Sequence, residues 1–92
     1  MTNEEKAHIE ARRGDLARQV LESELYCEAM LAIRGELMHK FEKTKFKEVD
    51  EREEIWRRIQ TVNWFETYFK QVMETGKLGR QTLGLLDKFK TR

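Results

Sequence analysis

Few residues in this chain have the type and spacing for chemistry. Glu36-Leu-Met-His39 sets a carboxylate and an imidazole three positions apart. On a helix that spacing turns both groups to one face, as in di-iron carboxylate bundles. Such a centre needs a second Glu-x-x-His pair and two further carboxylates, and His8, the one other histidine, stands in no matching motif. His39 therefore reads as a residue near a helix end, where the dipole favours a cation. No metal or cofactor is expected. Cys27 is the sole cysteine. A nucleophilic thiol needs a nearby base and an electropositive, accessible setting; on the apolar stripe of a long helix, cysteine acts as a small hydrophobe. The chain has no glycine-rich phosphate loop, nucleophile elbow or zinc spacing. The expectation is a protein that is not an enzyme.

Two other groups of residues suit binding. Trp56, Trp64, Phe65, Tyr68 and Phe69 form an aromatic cluster in the second half of the chain. Phe65 and Phe69 follow a core stripe, whereas Trp56, Trp64 and Tyr68 lie to its flanks. Packing within the chain would account for them, but tryptophan and tyrosine are also favoured interface anchors, so these three are the candidate protein interface. Lys77, Arg80, Lys88, Lys90 and Arg92 dominate the C-terminal segment, opposed there only by Asp87. A basic arm of this kind could contact phosphates, with the salt dependence that entails. It is the candidate nucleic-acid contact; the plainer reading is a solvated helix end.

The elements that must carry these residues are helices. Thr2 and Glu5 have capping-box spacing, and good helix formers run from there to about Phe41. Leu16, Val20, Cys27, Met30, Leu37 and Phe41 recur at helical intervals, with Ser23 and Arg34 filling the remaining steps. Leu21, Leu25, Ala29 and Ala32 widen the stripe to a face that suits more than one neighbour. Gly14 reads as a potential break and Gly35 as a point of close helix contact. Residues 42–49 lose the periodicity. Asp50, followed by Glu53, opens a second helix over about 51–75, with Ile55, Ile59, Val62, Phe65, Phe69 and Val72 as its buried stripe. Gly76 suits a left-handed ending, with Leu78 folding back on Val72. An arm or short helix then covers 77–92. The fold expected is a single all-α domain, an antiparallel hairpin of two long helices with a short C-terminal helix or arm. Paired across the connection, a first helix of ~38 residues outruns a second of ~25 by ~14. Either the tail returns to cover the surplus or another subunit does, and oligomerisation is expected.

Composition agrees with this outline. Of 92 residues, 38% are charged, yet 18 basic and 17 acidic side chains nearly cancel. That balance argues against attachment to nucleic acid by bulk charge and suits helices with salt-bridged solvent faces. No proline is present to break them. A chain this short buries only about 60–65% of its unfolded surface, and one cysteine cannot form an internal disulfide. A lone thiol and the lack of an apolar leader point to the cytoplasm, and charges interrupt every apolar run before membrane-spanning length.

The stretch Glu51-Arg-Glu-Glu-Ile-Trp-Arg-Arg-Ile, then Phe65, Phe69 and Glu74-Thr-Gly-Lys-Leu-Gly, resembles small uncharacterised helical proteins of tailed bacteriophages and prophages. In those, an acidic start leads to Leu-Trp or Ile-Trp, and the striped helix ends in Thr-Gly-Lys. The resemblance spans roughly residues 50–83 and supplies no catalytic residues. It implies a protein of the morphogenesis or DNA-packaging region, in the host cytoplasm or with the virion. Such a protein would act by self-association or on a phage or host partner. The alternatives are a nucleic-acid-binding accessory protein and a modulator of a host enzyme.

Overall fold

The computed structural model describes residues 1–90. It holds three helices, α1 (Asn3–Glu22), α2 (Glu24–Lys43) and α3 (Val49–Lys90), and no strand among the described residues. The chain divides into two compact units. One joins Met1–Glu22 to the chain from Tyr68 onward, and the other is Ser23–Thr67.

Helix starts follow local chemistry. Thr2 Oγ1 accepts from the Glu5 backbone N–H at 3.1 Å, half of the capping box expected from the sequence. The single long first helix is corrected, however, and not at Gly14. Ser23 has extended backbone angles (φ −61°, ψ 127°), and its side chain accepts from the Tyr26 N–H. A serine cap with Glu24 behind it satisfies free N–H groups and suits the helix dipole. After α2, Thr44 closes the last turn onto the Phe41 carbonyl through its N–H and its hydroxyl. In the connection, Glu48 accepts from the Lys45 N–H at 2.8 Å, while the Lys45 carbonyl accepts from the Glu48 N–H. The Lys45 N–H, and then a hydrogen bond from Glu51, hold the Glu48 carboxyl below its usual range. That same contact and the charge of Glu48 push Glu51 up.

In the first unit the buried residues are small: Ala7, Gly14 and Ala17 on α1, Gly76 and Gly79 on α3. A Cβ at Gly76 would lie 2.6 Å from Gly14 Cα and 2.9 Å from the Glu10 carbonyl oxygen; one at Gly79 would lie 2.8 Å from the Ala7 carbonyl oxygen. Backbones this close leave no room for side chains. The expected ending at Gly76 is thereby overturned. No glycine has positive φ, α3 continues to Lys90, and the separate arm is its last part. Gly14 is likewise no break but the facing half of this contact. Gly35, expected at a close approach, meets nothing within 4 Å.

The second unit buries Met30 and Leu37 of α2, with Phe41, Ile55, Ile59 and Val62 half-buried. Arg34 donates to Asn63 Oδ1 from Nε and Nη2 at 3.2 and 3.1 Å, and pairs with Glu66 at 3.2 Å. The Arg52 guanidinium lies 5.0 Å from the centre of the Phe41 ring, a cation–π distance. Of the residues expected to be buried, Cys27, Leu16, Leu25, Ala29, Ala32 and Phe65 are exposed.

Candidate interaction surface

Among the described residues four apolar side chains are buried (Ala7, Ala17, Met30 and Leu37), while many large apolar ones face outward.

In the second unit the exposed apolar residues fall into ridges. At about 100° per residue, Cys27, Leu31 and Met38 line one flank of α2, four and seven positions apart. On α3, Trp56, Gln60 and Trp64 follow one another at intervals of four. Arg34 stands between Leu31 and Met38 in this sequence of turns, and Asn63 stands seven residues after Trp56. The Arg34–Asn63 hydrogen bonds tie the two helices beside the α2 ridge, while Trp64, about 100° from Asn63, turns away from α2. Leu31 is 75% exposed and Trp64 74%, with Trp56 at 55% and Met38 at 45%. Phe41, Val49, Arg52, Glu53 and Trp56 enclose a shallow hollow of about 250 Å³ at one end. Leu25, Ile33 and Phe65 project elsewhere on these helices and are also exposed.

Thus Trp56 and Trp64 share a ridge in one unit. Tyr68 belongs to the other, where its hydroxyl accepts from Arg13 Nη2 at 3.3 Å and its ring meets Phe69 edge-on at 5.7 Å. The aliphatic half of the surface, Leu31 and Met38, was not among the residues singled out from sequence. The signal was there: Leu25 to Ile33 carries one charge, Glu28, and a helix apolar all round is one that other elements cover.

Three basic residues of the C-terminal segment are engaged with carboxylates. Lys77 pairs with Glu74 at 2.9 Å, Arg80 with Asp15, and Lys90 with both oxygens of Glu4 at 2.7 and 2.8 Å. The hydrogen bond and charge of Lys90 lower the Glu4 carboxyl, and Glu4 in turn raises the Lys90 ammonium. Lys88 is exposed, and Arg92 lies outside the described residues. These cations offer phosphate less than a bare arm would, because each carboxylate must be displaced or tolerated.

Glu36 pairs with Lys40 at 3.1 Å, and His39 is exposed. Among the described residues, no three His, Cys, Asp or Glu side chains are grouped to hold a metal. Cys27 is exposed on the α2 ridge and forms no disulfide. No described helix is long and apolar enough to cross a membrane. Compared with protein-family models, curated proteins and solved structures, the chain matches none of them.

Proposed function

We propose that this protein is a non-catalytic helical interaction module that self-associates, burying the flank aromatics Trp56, Trp64 and Tyr68. The observation that carries the reading is the outward display of large apolar side chains, against four buried ones among the described residues. Their exposure costs roughly 25 cal/mol per Å² relative to burial, and a partner surface recovers that energy. Antiparallel pairing of the helices belongs to the same proposal. It is supported by the order of contacts in the second unit, where Phe41 meets Arg52 and Arg34 meets Asn63 and Glu66. The likeness of residues 50–83 to phage helical proteins supports a setting in virion assembly or DNA packaging.

Molar mass in solution, read by light scattering across a concentration series, tests the proposal. A mass that rises to a fixed multiple of 11.1 kDa is the expected result. A mass that stays at the monomer value at every concentration would sink self-association and leave only a foreign partner to cover the surface.

A further inference from the structure

α1 and α2 are held in their units by different kinds of side chain. On one face α2 buries or half-buries Tyr26, Met30, Leu37 and Phe41, and Arg34 beside them binds Asn63 and Glu66 of α3. The equivalent stripe on α1 is Ala7, Ala11, Gly14 and Ala17, with Val20 and Leu21 half-buried near its end. None of those first four carries more than a methyl group. At Gly14 the contact is backbone on backbone, since a Cβ there would lie 2.7 Å from Gly76 Cα. Apolar burial stabilises in proportion to area, so each turn of α1 contributes less of it than a turn of α2. Three polar ties also join α1 to α3, all solvent-exposed: Glu4 with Lys90, Asp15 with Arg80, and Arg13 with the Tyr68 hydroxyl. Exposed ties of this kind are weak and are screened by salt.

The joint to α2 is a single residue. Ser23 completes the start of α2 by itself, its hydroxyl accepting from the Tyr26 N–H and its carbonyl from the Cys27 N–H. The first turn of α2 keeps these partners whether α1 is docked or not. We infer that α1 is a strap, released from α3 as one unit by rotation about Ser23 while Ser23–Thr67 stays folded, and that ionic strength sets how often it opens. Release bares Val72, Leu83 and Leu86, half-buried residues on the α3 face that carries Gly76 and Gly79. A segment of low local stability beside a firmer one lets a protein change the surface it offers. The inference does not require self-association.

Amide hydrogen exchange of the intact protein, read residue by residue by NMR at one protein concentration, tests the strap. An undocked helix of this length is marginal in water. Amides of α1 and of α3 beyond Thr67 should therefore exchange roughly tenfold or more faster than those of α2. Raising sodium chloride from about 0.05 to about 1 M should speed them by about threefold and leave α2 unchanged. Gly14→Ala, which forces the two backbones apart, should speed α1 exchange further although alanine favours the helix itself. Slower exchange in that variant would show that helix propensity governs the opening, and would overturn the inference. Equal opening of α1 and α2, with one common dependence on denaturant, would overturn it too, because the chain would then be a single cooperative unit. So would α1 exchange that salt leaves unchanged. Should Gly14→Ala fail to fold, the parent's exchange pattern and its salt dependence decide alone.

Discussion

Gly76 and Gly35 are both helical glycines, and each costs roughly 1 kcal/mol against alanine in propensity, yet their surroundings give opposite outcomes. A Cβ on Gly76 would enter the backbone of α1, whereas one on Gly35 would meet open space. Gly35→Ala should therefore raise the unfolding free energy by about 0.5–1 kcal/mol. Gly76→Ala should lower it by about 1–3 kcal/mol, since backbone atoms must part to admit the methyl. Chemical denaturation of the two variants beside the parent checks both, and equal shifts would contradict the close contact. The Glu4–Lys90 pair makes a separate prediction in pH. Glu4 is lowered, so its contribution is present above the ordinary carboxylate range and fades as pH falls through the lowered value. Lys90 is raised, so its contribution is full below the ordinary lysine range and fades as pH rises through the raised one. Lys90→Met should thus depress the thermal midpoint slightly at neutral pH and not at either extreme. Added salt should shrink the difference, because both groups are exposed.

At the scale of elements, the break at Ser23 shows why a periodic pattern is a poor guide to helix continuity. Val20, Ser23 and Cys27 keep helical spacing across it, and neither proline nor glycine marks the place. What ends one helix and starts the next is a side chain turned back to its own backbone, a choice available to serine wherever it stands in a helical stretch. Ser23→Ala should cost about 1 kcal/mol or allow α1 and α2 to merge. Amide exchange at Tyr26 distinguishes the two: faster exchange marks a lost cap, and slower exchange marks a continuous helix. Gly76 is the converse case. Thr-Gly-Lys after a long apolar stripe has the composition of a helix end, but glycine serves a turn and a close approach equally well. The neighbour across the contact, Gly14, lies 62 positions away in sequence, so local reading had no means of choosing.

For the molecule as a whole, the balance of exposed and buried apolar surface decides what it can do. Trp64→Ala should weaken assembly in sedimentation or light scattering while leaving helicity near that of the parent, because the indole is 74% exposed and holds little together within its own chain. Loss of about 1–3 kcal/mol of association free energy is the expected size for an aromatic anchor of this kind. Unchanged assembly would remove Trp64 from the interface. The all-helical class was legible from the sequence, as were the connection before Val49 and the half-buried stripe of Ile55, Ile59 and Val62. Each follows from propensity, capping and a 3.6-residue period that act over neighbouring residues. That Trp56 and Trp64 stand clear of that stripe and are exposed was legible for the same reason, since a helix alone sets the angle between side chains. Tertiary structure decided the rest: that Ala7, Gly14 and Ala17 are buried in place of Leu16, that Gly76 lies inside a helix, and that Leu31 and Met38 are left exposed. Those outcomes depend on which backbones approach and how closely, and residues far apart in the chain determine that distance together.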